Sequence, residues 1–329
     1  MYCIETAGSD FDLEKTLNSG QVFHWEKTSD GFVGTIGDLP LLVEQRNDVL
    51  EVPRQAMLTK SQRHSLREIV THYFALDHPL AEICASFPDD PVMNAASDFC
   101  RGLRIIRQPK WECLATFICS SMKQVAHIRQ ISFALRRRFG DGRKIGGHLV
   151  YTFPPVQRIA KAPENDLRKC ALGYRAGNLR ATAGLVSSGM ADLKAWSALS
   201  DADLREKLCA LPGVGPKVAN CVMLFAYERL RAFPIDVWIE RVLKQTYFLR
   251  KKKVAKDRLR EFSARYFGEH GGYAQQYLFH HARMTSRTTR VAKDCSMAIH
   301  LDRNDKETNA RPARPGARGE EAWSRSSRK

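Results

Sequence analysis

The chain has 329 residues, 43% of them hydrophobic and 9% aromatic, and a formal net charge of +16. That composition fits an ordinary globular protein with one large or two smaller domains, and the absence of any apolar run near ~18 residues speaks against a membrane-spanning helix. The last 28 residues carry 8 basic and 5 acidic side chains (net +3), so about +13 belongs to the rest, and a body that basic suits a polyanion, nucleic acid first among them.

"MYCIETAGSD" lacks the basic n-region and apolar h-region of a secretory signal, so none is expected. Residues 20–52 read as antiparallel strands. "QVFHWE", "GFVGTIG", "LPLLVEQ" and "DVLEV" are rich in β-branched and aromatic residues and are separated by plausible turns at Asp30-Gly31, Gly37-Asp38 and Asn47-Asp48. From about residue 60 helical periods dominate. Between 111 and 139 apolar residues recur every three or four positions, and further helices are expected near 157–171, 176–188, 200–209, 216–230, 238–247, 256–267 and 273–285. From Asp302 onward there is almost nothing to bury, which predicts a disordered tail. The expected fold class is α+β: a sheet-containing domain over 1–95, a mainly helical domain over 96–300, and a loose basic tail over 301–329.

Nine cysteines are scattered with no C-x-x-C pair, which reads as free thiols in a reducing compartment. The histidines show no zinc-ligand spacing, and neither structural zinc nor an iron–sulfur cluster is expected. No organic cofactor is expected either.

The most informative stretch is "LPGVGPK", residues 211–217. It fails the phosphate-binding loop of nucleotide hydrolases, because Pro216 separates glycine from lysine and Val218 follows. It reads instead as a short hairpin between two helices. Gly213 and Gly215 allow positive φ or close approach, and Pro216 suits a first helical turn. The free N–H groups there, through Val218, can hold a DNA phosphate. Nineteen residues on, Asp236 sits in "FPIDV". Together with "LNSGQVFHW", "LRIIRQPKWECLATFICSS", "LGYRAGNL" and "GGYAQQYLF", this hairpin resembles the helix-hairpin-helix (HhH-GPD) superfamily, and within it the 8-oxoguanine DNA glycosylases. The resemblance spans nearly everything but the tail.

A lysine at a positive helix end in apolar surroundings is oddly placed for a cation but well placed for an amine nucleophile. Attack at C1′ of a damaged nucleotide would give a Schiff base and permit β-elimination, hence glycosylase activity with associated lyase activity. Asp236 would stabilise developing cationic character on the sugar, and from the residues alone it reads equally well as the N-cap of "VWIERVLKQ". The resemblance implies a base pocket of Gly20, Cys221, Gln275 and Phe279. It assigns Tyr174 as a wedge, Arg175 and His127 to the orphaned base, and Met122 to the vacated space. It places Trp238 near the DNA backbone and offers the main-chain carbonyls of Cys209, Leu211 and Val214 as a cation seat. Two departures stand out. Met122 replaces an asparagine and cannot read a hydrogen-bonding edge, so preference for the opposite base should be relaxed. Trp238 stands where a histidine is usual.

The expected partner is duplex DNA containing 8-oxoguanine, handled by a monomer in the cytoplasm or nucleoid (the nucleus in a eukaryote), with no membrane role. Two alternatives stay open: a non-catalytic hairpin clamp on DNA, and the same fold acting on another damaged purine.

Overall fold

The computed structural model describes residues 2–6, 10–29, 31–52, 60–249 and 254–286. Residues Met1–Arg283 form one compact unit and Met284–Lys329 a second, of which only 284–286 are described, as helix. The predicted tail and Cys295 lie outside the described residues.

The first unit opens with strand β1 (Tyr2–Glu5) and helix α1 (Leu13–Asn18), neither of which the periodicity announces. Strands β2 (Glu26–Lys27), β3 (Phe32–Ile36), β4 (Leu39–Arg46) and β5 (Val49–Val52) follow, and the antiparallel sheet runs β1-β5-β4-β3-β2. The expected strand in "QVFHWE" shrinks to its last residue. Val22, Phe23, His24 and Trp25 are all buried in succession, so they do not alternate between two faces as a half-buried strand must. The His24 ring bonds the Thr35 carbonyl at 2.8 Å, and the Gln21 carbonyl accepts from Gln108 Nε2 at 2.8 Å. Side chains therefore take up bonding that a ladder would otherwise supply.

One core lies on the sheet, where Leu41, Val43, Leu50 and Trp25 meet Val70, Tyr73 and Phe74 of helix α2 (Lys60–Tyr73) and the turn after it. The second, larger core lies among helices α3 (Leu80–Ala85), α4 (Pro91–Phe99), α5 (Lys110–Cys119), α6 (Val125–Phe139) and those beyond. The run 111–139 is thus two helices, broken at 120–124, and Met122 in the break has φ +53°. A β-hairpin of β6 (Gly142–Ile145) and β7 (His148–Tyr151), not expected from the sequence, follows α6. Buried Arg136 of α6 ties these parts together. It pairs with Glu112 of α5 and donates to Thr35 Oγ1 of β3 at 3.0 Å and the Tyr151 carbonyl of β7 at 2.9 Å.

Helices α7 (Val156–Lys161), α8 (Glu164–Leu167), α9 (Arg175–Ser187), α10 (Asp201–Cys209), α11 (Pro216–Tyr227), α12 (Val237–Tyr247) and α13 (Lys256–Tyr266) come next. The last, α14, begins at 271 and runs through the end of this unit. No helix among the described residues is long and apolar enough to cross a membrane.

Candidate active site

The chain leaves α10 at Cys209 and turns through 211–215, with the Val214 N–H donating to the Leu211 carbonyl at 3.1 Å. Gly213 has φ +80°, and a Cβ there would stand 2.8 Å from Asn178 Cβ, so a side chain is excluded twice over. Thr182 Oγ1 donates to the Pro212 carbonyl at 2.9 Å. Helix α9, carrying both Asn178 and Thr182, therefore braces the hairpin. Gly215 is the N-cap of α11 and offers no side-chain cap, while Pro216 fills the first turn. The N–H groups of Lys217 and Val218 consequently have no acceptor within the helix. Gly213 and Gly215 are exposed, whereas Val218 is buried.

Lys217 is half-buried. Its Nζ lies 3.4 Å from Ser120 Oγ and 5.2 Å from the centre of the Phe117 ring, which itself stacks on Phe225 at 5.5 Å. Among the described residues no carboxylate stands within ion-pairing distance of it. One helical turn on, Cys221 is buried; burial pushes its thiol up, while the charge and hydrogen bond of Lys217 pull the other way. Asp236 is the N-cap of α12, accepting the Ile239 N–H at 2.9 Å. Burial raises its carboxyl above the usual range, and the main-chain donors of α12 and the Lys217 charge oppose that rise. The cap and the electrostatic neighbour of Lys217 are therefore one side chain.

Gly20 follows α1 with φ +91°, and a Cβ there would meet Arg283 Nη1 at 2.6 Å, Phe279 Cε1 at 3.1 Å and Val125 Cγ2 at 3.5 Å. That close approach brings the loop at Gly20, helix α14 and the start of α6 to one point. Gln275 is buried one turn before Phe279, and its Oε1 has no hydrogen-bond partner among the described residues. A buried amide oxygen left unpaired costs about 1–3 kcal/mol, so a donor brought to it would be favoured. Phe279 is half-buried, with the Arg283 guanidinium 5.4 Å from its ring centre.

The opposite edge projects outward. Met122 is 93% exposed and Tyr174, just before α9, is 59% exposed. His127 is exposed in the first turn of α6. Arg175 departs from expectation. It is buried, and three of its five N–H groups go to the carbonyls of Ser121 and Leu172. Trp238, in the first turn of α12, is half-buried beneath Arg241, 5.3 Å from its ring centre. Cys209, Leu211 and Val214 lie together at the hairpin, where the negative end of α10 would favour a cation, although the Leu211 carbonyl already accepts one bond. A cavity of about 470 Å³ opens elsewhere, beside Tyr73, Arg107, Lys110 and Tyr227, and none of the residues above lines it.

Comparison with known proteins decides the family. Residues 3–114 match the 8-oxoguanine DNA glycosylase N-terminal domain, and residues 115–266 match the HhH-GPD superfamily of base excision DNA repair proteins. The chain belongs to the 8-oxoguanine DNA glycosylase family. It is 31% identical to the N-glycosylase/DNA lyase OGG1 of Arabidopsis thaliana, over 82% of this chain and 77% of that one. It is similar to the solved structure of MBOgg1 in complex with a low-affinity DNA ligand, with 31% identity and a TM-score of 0.80 over 86% of this chain and 96% of that one. It is also similar to the Clostridium acetobutylicum 8-oxoguanine glycosylase/lyase bound to dsDNA with cytosine opposite 8-oxoG, at 28% identity and TM-score 0.78, over 86% and 94%. The α+β fold expected from the sequence is the fold of this family.

Within that frame, sequence reasoning missed Phe117, Ser120, Val125 and Arg283. Arg283 carried a signal, since it lies four residues after Phe279 and so shares its helix face. The other three reach the site only through tertiary packing.

Proposed function

We propose that this DNA N-glycosylase/lyase uses Lys217 as its nucleophile, and the observation that carries the proposal is the amine's setting. Lys217 Nζ sits at the uncapped start of α11, against Phe117 and Ser120 Oγ, with no carboxylate partner among the described residues. A structural lysine of a helical core would be paired or fully solvated. In the proposed reaction Nζ forms a bond to C1′ while the glycosidic bond breaks and its electron pair leaves with the base. Loss of one amine proton and breaking of the C1′–O4′ bond, whose electron pair leaves on O4′ as it takes up a proton, open the sugar to the protonated Schiff base. Removal of a proton from C2′ then expels the 3′-phosphate. Water returns the free lysine. Asp236 stabilises positive charge on the sugar during the first step while remaining the cap of α12.

The unpartnered Gln275 Oε1 supports a base with N–H donors on its edge, and Phe279 supplies a stacking face. Gly20, in the left-handed turn beside Phe279, and Cys221 complete the pocket, and an oxidised guanine suits them. Met122 fills the vacated space by bulk alone, so we read the choice of opposite base as relaxed. Gly213, Gly215 and the N–H groups of Lys217 and Val218 hold phosphate, with Trp238 alongside. A cation on the carbonyls of Cys209, Leu211 and Val214 would stiffen the hairpin, and no step depends on it. We read the protein as a monomer.

Substituting Lys217→Gln tests the nucleophile. Excision of 8-oxoguanine should vanish while lesion-DNA binding, read by gel shift, persists; retained excision would move the chemistry to another group.

A further inference from the structure

The turn bearing Met122 is held by a side chain from a different helix. Arg175 Nε donates to the Ser121 carbonyl at 2.9 Å, its Nη2 donates to the same oxygen, and its Nη1 reaches the Leu172 carbonyl at 3.3 Å. The guanidinium also lies 4.4 Å from the centre of the Tyr174 ring, and Arg175 is only 5% exposed. One buried cation thus joins the two most projecting groups of the site. It fastens the carbonyl just before Met122, 93% exposed, and the ring of Tyr174, 59% exposed.

The fastening has something to oppose. Met122 holds φ +53°, a left-handed conformation that costs a side chain with a Cβ about 1–3 kcal/mol and persists only where the surroundings over-determine it. A charged fork donating twice to one carbonyl is a constraint of that strength. The clamped Ser121 also follows Ser120, whose Oγ lies 3.4 Å from Lys217 Nζ.

We propose that Arg175 is a positioning residue, a clamp that makes Met122 and Tyr174 one stiff double wedge and sets the Ser120 contact of Lys217. The proposal rests on the reading of this site as the place where a damaged base leaves the stack. Extruding a base costs a few kcal/mol, and apolar wedges inserted between base steps meet that cost only if they do not yield. The clamp itself acts on the turn and not on a base edge, so its loss weakens excision whichever base stands opposite the lesion.

The test uses the full chain, with 8-oxoguanine opposite each of the four bases, and a preformed abasic site where no base has to be extruded. Arg175→Ala should lower kcat for excision on the order of ten- to a hundredfold opposite every one of the four bases. Borohydride trapping on the abasic duplex should change less than about twofold. Arg175→Lys keeps the buried charge but not the fork, so the same split, smaller, is read on a folded protein. Met122→Asn placed in the Arg175→Ala background should restore part of the excision, because asparagine tolerates the left-handed turn unaided. Equal losses on both substrates, undiminished excision opposite any of the four bases, or no rescue by asparagine would each overturn the clamp. Failure of the unsubstituted protein to trap on either substrate would instead overturn the assignment of Lys217.

Discussion

The two edges of the site are built from opposite materials. Around Lys217 nearly everything is interior: Cys221, Phe117 and Ser120 are buried, and Asp236 is fixed by the helix it caps. Around Met122 and Tyr174 the side chains project, the backbone at Met122 is left-handed, and the fixing is done from behind by Arg175. The difference fits the two tasks proposed for them. An amine nucleophile and its carboxylate neighbour gain strength where water is excluded and the dipoles are set in advance. A wedge has to leave the protein surface to enter a base stack, so its order must come from its base rather than its tip. The nucleophile edge should therefore be intolerant of changes in chemistry and the wedge edge intolerant of changes in stiffness.

Asp236→Asn probes the interior edge most sharply after the lysine itself. Asparagine caps a helix about as well as aspartate, so the melting temperature should hardly move while single-turnover excision falls by roughly 10²–10³. Unchanged turnover would reduce Asp236 to its cap. Met122→Asn probes the projecting edge. Discrimination for cytosine over the other opposite bases should rise by about tenfold, as expected for one good side-chain pair to a base edge. If the unsubstituted protein already prefers cytosine strongly, the reading of Met122 as a filler of space is wrong.

The smallest effect concerns stability. Burial holds the His280 imidazole down at about 4, and burial with the Arg136 charge holds His24 well below the usual histidine range. Because the folded values lie below the unfolded one, these groups favour the folded state fully above about pH 6.5 and progressively less as the pH falls. Each should contribute a slope of about 1.4 kcal/mol per pH unit between that point and its folded value. Guanidinium unfolding at pH 7 and pH 5 should show the loss, and His280→Gln should flatten it; a slope the same in the variant would assign the effect to other groups.

How much of this was legible beforehand depended on whether the deciding physics was local. The hairpin at 211–217 could be read because glycine spacing and a first-turn proline are local signals, and Asp236 as a cap because capping is local too. The break at 120–124 could not, since methionine is the wrong residue to announce a left-handed turn; a glycine or asparagine would have marked it. The resemblance assigned Arg175 to the orphaned base, and the carbonyl of Ser121, distant in the chain, together with that of Leu172, three residues back, holds its guanidinium inward. The strand expected at "QVFHWE" failed because four consecutive buried residues leave no solvent face. The hairpin of β6 and β7 was missed because "GRKIGGHLVY" is too charged and glycine-rich to read as strand, and it takes its place by packing on the larger sheet.

The measurement that bears most directly on the central claim is a borohydride trap on an 8-oxoguanine duplex, run beside an undamaged and an alkylated duplex, with the adduct located by peptide mass mapping. The account predicts a covalent adduct on the oxidised duplex alone, carried by the peptide that contains Lys217. An adduct on any other lysine, or none despite tight binding to the lesion, would contradict it.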